Sequence, residues 1–127
     1  MKTNLLILTV FLTLMSCSTE DRVTSIQEDQ KALYSKYNSI MRYISLEPIS
    51  SETTCLSLPI GSKACGGPQG YIGFPSTIDQ KELKQMIEEY TEFEKSYNEK
   101  WEITSDCSFV APPSEVIVHN GSCKVIY

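Results

Sequence analysis

The sequence predicts an α+β fold: a small disulfide-braced domain with one long amphipathic helix, a short antiparallel sheet and a C-terminal hairpin, preceded by an N-terminal helix. Three observations carry this expectation. A capped apolar stripe at helical spacing runs from Asp79 to Trp101. Asn120-Gly121, set between two β-branched runs, suits a two-residue type I′ hairpin turn. Cys55, Cys65, Cys107 and Cys123 are an even set of half-cystines spread over the rest of the chain. A length of 127 residues allows one domain, and 41% hydrophobic residues argue against wholesale disorder. A net charge of −5 speaks against a nucleic-acid partner, which needs a basic patch to displace counterions.

The N-terminus reads as an address. Lys2 precedes a ten-residue apolar run, Leu5 to Leu14, too short to span a bilayer and suited to a signal peptide over residues 1–16. Leu14-Met15-Ser16-Cys17 resembles a bacterial lipoprotein box. The resemblance implies that Cys17 becomes the first mature residue and carries lipid on its sulfur and its amino group. At about 0.8 kcal/mol per buried CH₂, two or more acyl chains anchor a protein stably. Ser18 does not look like an inner-membrane retention signal, so the outer membrane is expected. Glu20-Asp21 resembles the export signals of surface lipoproteins. Residues 17–24 then form a lipidated polar tether, and 25–127 a single domain. A mature chain this acidic should not lie flat on anionic lipid.

A first helix is expected over 25–44. Ser25 with Glu28 fits a capping box, and Ile26, Leu33, Tyr37, Ile40 and Ile44 fall at helical spacing, although Tyr43 to Leu46 also suits an extended segment. Pro48 among serines breaks it. Short strands are expected at Thr53–Leu58 and Tyr71–Phe74. Between them, Pro59–Gly70 concentrates glycine and proline and reads as a loop. The main helix covers about 79–100. Asp79 is its N-cap, Glu82 completes a capping box, and Ile78 staples onto Leu83. Leu83, Met86, Ile87, Tyr90, Phe93, Tyr97 and Trp101 form the apolar stripe, while Glu88, Glu92, Lys95 and Glu99 read as a solvated face. Ser105–Pro113 is a loop, and Glu115–Tyr127 a hairpin. Its turn places Val118 opposite Cys123 and Val116 opposite Val125, so Cys123 faces the core.

With Cys17 lipidated, four cysteines in an exported domain imply two disulfides. Cys65 and Cys107 lie in loops flanking the main helix, whereas Cys55 and Cys123 lie on strands. Pairing loop with loop and strand with strand gives Cys65–Cys107 and Cys55–Cys123. The local pairing Cys55–Cys65 with Cys107–Cys123 stays open as the rival, and Cys55–Cys107 with Cys65–Cys123 as the third connectivity. The chain has no C-x-x-C and a single histidine, His119, so no metal site is expected.

Several of these segments together resemble a family of small bacterial lipoproteins. They are Pro59-Ile60-Gly61-Ser62-Lys63-Ala64-Cys65-Gly66-Gly67-Pro68, Gly70-Tyr71-Ile72, the helix end Glu94 to Trp101, Ser105-Asp106-Cys107-Ser108 and the terminal hairpin. The match covers about 55–127 well and the first helix loosely. That family has no established activity, so the resemblance implies no catalytic residues. In one respect this chain departs from it: the family pattern puts the last cysteine where Val118 stands, directly across the strand pair from Cys123.

No catalytic constellation emerges, and no cofactor is expected. His119 sits at a hairpin turn, poorly placed for nucleophilic chemistry. Glu88 and Glu92, four residues apart on a solvated face, are poorly placed to divide acid and base roles between them. Lys63 precedes the glycines, and no helix begins there, so the loop fits no phosphate-binding motif. What remains is a recognition loop over 59–70, with Lys63, Gly66, Gly67, Pro68 and Gln69 as candidates. The expected function is an outer-membrane-anchored lipoprotein acting as a non-enzymatic binding or inhibitory module, with the membrane held through lipid and a protein partner through that loop. An envelope hydrolase and a structural envelope component are the alternatives.

Overall fold

A computed structural model describes residues 19–127. The signal peptide expected over residues 1–16 and the expected lipidation site Cys17 lie outside the described residues. The elements are α1 (Thr19–Ser45), β1 (Cys55–Ile60), β2 (Gly70–Pro75), α2 (Gln80–Lys100), β3 (Glu115–His119) and β4 (Ser122–Ile126). This is the expected α+β domain braced by two disulfides. Among the described residues no helix is long and apolar enough to cross a membrane.

α1 begins at Thr19, so residues expected in a tether are helical and Ser25 is interior rather than a cap. The segment from Thr19 to Ser25 holds no proline or glycine, and each residue added to an existing helix gains a hydrogen bond for one residue fixed. The helix continues through Tyr43 and Ile44, which settles the ambiguity there. Ile40 and Ile44 enter the core, while Tyr37 stays at the rim against Tyr90.

α2 starts as expected. The Asp79 carboxylate accepts from the amides of Lys81 and Glu82. Glu82 does not turn back to close the capping box; it accepts from the Tyr43 hydroxyl on α1 at 3.0 Å. At the other end of α2, Lys100 and Trp101 both donate to Asp29, at 2.6 and 2.9 Å, and hold its carboxyl below its ordinary value. The two helices therefore pack antiparallel, tied at both ends.

β1 and β2 pair antiparallel, with Leu58 opposite Ile72 and Leu56 opposite Phe74. Pro59 and Ile60, expected in the loop, close β1 instead. A strand with one partner leaves every second amide outside the ladder, and proline is tolerated there. Side chains alternate across the sheet. Ile60, Ile72 and Phe74 join Ile40, Ile44, Ile78, Leu83, Ile87 and Tyr90 in the core beneath the helices. The opposite face carries Cys55 and Gly73, and the terminal hairpin packs there. A Cβ on Gly73 would stand 2.5 Å from the Cys123 carbonyl oxygen, so only glycine admits β4 this closely.

The hairpin has the expected register. Val118 faces Cys123, Val116 faces Val125, and Asn120 (φ 49°) and Gly121 (φ 71°) make the turn. The disulfides are Cys55–Cys123, which ties β4 to β1, and Cys65–Cys107, which spans α2. They close separations of 68 and 42 residues. On the chain-entropy account each restricts the unfolded chain by about 4 kcal/mol.

Candidate functional site

The loop 61–69 between β1 and β2 hangs from the second half of α2. Leu83, Ile87 and Tyr90 set the buried line of that helix, and Glu94 and Asn98 continue it. The line turns polar where it meets the loop. The Gly61 amide donates to Thr91 Oγ1 (3.1 Å), and the Ser62 amide to Glu94 Oε2 (2.6 Å). Asn98 Nδ2 donates to the Ser62 carbonyl at 2.8 Å. Tyr90 donates its hydroxyl to Glu94 Oε1 at 3.4 Å. Burial lifts the Glu94 carboxyl above the ordinary carboxylate range, while the donors from Ser62, Tyr90 and Gln69 pull it down. The same burial, with Glu94 alongside, raises the Tyr90 phenol.

The base of the loop is fastened on a second side. Lys63 is 8% exposed. Its ammonium donates to Asp106 Oδ1 (2.6 Å), the Ser108 carbonyl (2.8 Å) and Ser108 Oγ (2.9 Å), which satisfies all three of its N–H groups. Lys63 and the two Ser108 donors hold the exposed Asp106 carboxyl at about 2. The Cys65–Cys107 bridge lies beside this clamp. Ser105 Oγ accepts from the Cys65 amide and donates to Cys65 Sγ.

Lys63 is therefore not an exposed recognition residue. Its charge faces inward because Asp106 and Ser108 supply a complete set of acceptors. The other candidates form the rim: Gly66, Gly67 and Gln69 are exposed, and Pro68 is half-buried. The tip is closed by Lys63 N–H to Gly67 O and Gly66 N–H to Lys63 O, both 2.9 Å. At its foot the Gln69 amide donates to Ile60 O at 3.0 Å. Phe109 follows the clamped Ser108 and is 86% exposed. A shallow cleft of about 160 Å³ separates the loop from α2, lined on the helix side by Lys95, Asn98 and Glu99.

Glu88, Glu92 and His119 face solvent, and Glu88 and Glu92 lie away from the loop's polar contacts. Among the described residues no cluster of three His, Cys, Asp or Glu side chains could hold a metal ion. Thr91, Glu94, Asn98, Asp106 and Ser108 were not among the candidate site residues, although all but Thr91 lie in the segments that carry the family resemblance. The signal for two of them was available: Glu94 and Asn98 extend the spacing of Leu83, Ile87 and Tyr90. Chemically, the arrangement presents a stiff loop of mostly backbone surface, with an exposed phenyl ring on the segment that buttresses it.

No protein-family model, curated protein or solved structure matches this chain.

Proposed function

We propose that this chain is a bacterial outer-membrane lipoprotein, anchored through Cys17, whose domain binds or inhibits a protein partner without catalysing a reaction. The reading places it with the small lipoproteins that its G-S-K-A-C-G-G-P string resembles. The observation that carries it is the loop 61–69. The amides of Gly61, Ser62, Lys63, Cys65, Gly66 and Gln69 all donate within the fold, yet the tip around Gly66 and Gly67 is exposed. A loop ordered before it meets a partner avoids the entropy of ordering it on contact, and rigid exposed loops carry recognition disproportionately. Phe109 adds an aromatic side chain of the kind that dominates binding energy once it is buried in a partner's pocket.

The test uses intact cells expressing the full chain. Cross-linking should recover a partner with wild type. Gly67→Asn and Phe109→Ala should each lose it while melting like wild type. A Cβ at position 67 meets open space, and asparagine tolerates its positive φ. Equal recovery with all three proteins would refute the loop as the recognition surface. The anchor is tested separately: fatty-acid labelling should mark wild type and not Cys17→Ala.

A further inference from the structure

The two disulfides sit in different chemical settings. Cys55 and Cys123 are half-buried between the β1–β2 sheet and the hairpin, with the Cys123 carbonyl pressed against Gly73. Cys65 and Cys107 are both exposed. The loops they join are also joined by the Lys63 ammonium through Asp106 and Ser108. Opening this bridge therefore leaves a polar fastening in place, whereas among the described residues no side-chain hydrogen bond ties the hairpin to the β1–β2 sheet beside the strand bridge. The sulfurs also differ from one another. Ser105 Oγ lies 3.3 Å from Cys65 Sγ and donates to it, and a donor of this kind stabilises a thiolate. Cys107 holds φ at 51°, a left-handed conformation that a non-glycine residue keeps only where its surroundings impose it.

We propose that Cys65–Cys107 is a thiol-exchange site that responds to an external thiol, and that its opening loosens the loop tip while the fold persists. A thiolate attacks Cys107 Sγ. The new sulfur–sulfur bond forms as the Cys65–Cys107 bond breaks, and the electron pair leaves on Cys65 as a thiolate hydrogen-bonded by Ser105. A second thiolate attacks the external sulfur of the mixed disulfide and releases Cys107 as a thiolate. Both protein thiolates take protons from solvent, so two external thiols are oxidised to one disulfide and the protein bridge is reduced by two electrons. The sulfur whose departing charge is met by a hydrogen bond leaves faster, and the Ser105 hydroxyl on Cys65 is what directs attack to Cys107. The regulatory consequence rests on the loop being a recognition surface; the exchange chemistry does not.

The probe is glutathione, applied to the full chain carrying Cys17→Ala so that no fifth thiol competes, with alkylation and peptide mapping at intervals. Cys65–Cys107 should open about tenfold faster than Cys55–Cys123, with the glutathione adduct on Cys107 and the helical circular dichroism unchanged at that stage. Opening of both bridges together, opening of Cys55–Cys123 first, resistance of both, or an adduct mainly on Cys65 would overturn the proposal. Ser105→Ala should slow the opening several-fold; an unchanged rate would overturn the leaving-group assignment. Neither readout involves a partner, so failure here is distinct from failure of the recognition reading.

Discussion

Asn98→Ala tests whether the polar half of α2 holds the loop. Asn98 is 8% exposed, and its amide donates to the Ser62 carbonyl at 2.8 Å. Truncation leaves that carbonyl short of a donor, at about 1–3 kcal/mol. Two effects oppose the loss. Alanine is the better helix former by about 0.5 kcal/mol, and Gln69 Nε2, 3.5 Å from the same oxygen, offers a weak substitute. The net expectation is a loss of about 1–2 kcal/mol, a fall of about 5–15 °C in Tm for a domain of roughly 100 residues. Urea and thermal unfolding measure it, and the urea slope should not change. Asn98→Asp should be worse at neutral pH, because it sets a carboxylate against the Ser62 carbonyl and near Glu94. An Asn98→Ala protein as stable as wild type, or more so, would show that helix propensity outweighs the amide and that the loop is held otherwise.

Gly73→Ala should cost about 1–3 kcal/mol by overpacking, since its Cβ meets backbone of Cys123 and the hairpin must move. Gly70→Ala, whose Cβ meets nothing within 4 Å, should melt close to wild type. The pH profile has opposing parts, since Asp29 and Asp106 are held below and Glu94 above their ordinary values. The Asp106 carboxyl, held at about 2 against an ordinary 3.8, contributes stability that is present above the ordinary value and lost as pH falls through 2, so Asp106→Asn should flatten the acid limb below pH 4. Glu94 is raised above its ordinary 4.5, so the folded state takes up its proton first and stability rises as pH falls toward 4.5; Glu94→Gln should remove that rise. Acid titration of each variant by circular dichroism separates the two.

Local signals specified much of the fold. Asn120-Gly121 accepts positive φ at both positions, so one turn fixed the hairpin register and the inward face of Cys123. Asp79 before an apolar periodicity fixed the start of α2. The site was harder to read because its chemistry is tertiary. Glu94 and Asn98 lie in a strongly charged helix, where a solvated face is the ordinary expectation, and nothing local says that a loop thirty residues earlier needs their acceptor and donor. Lys63 looks like an exposed cation in a glycine-rich loop, and only the fold brings Asp106 and Ser108, more than forty residues away, around its ammonium. The early start of α1 and the extension of β1 through Pro59 are boundary effects. In each, pairing or helix propagation carried regular structure past a weak stop signal.

The recognition proposed for the loop 61–69 requires it to be ordered in the free protein. Amide hydrogen exchange on the free protein tests it most directly. The amides of Gly61 and Ser62 donate to α2 side chains, and those of Lys63 and Gly66 close the tip. All four should exchange with protection comparable to the interior of α2, and Asn98→Ala should lower that protection at Gly61 and Ser62 first. Exchange of these amides at the rate of an open chain, while α2 stays protected, would show that the free loop is not held by α2.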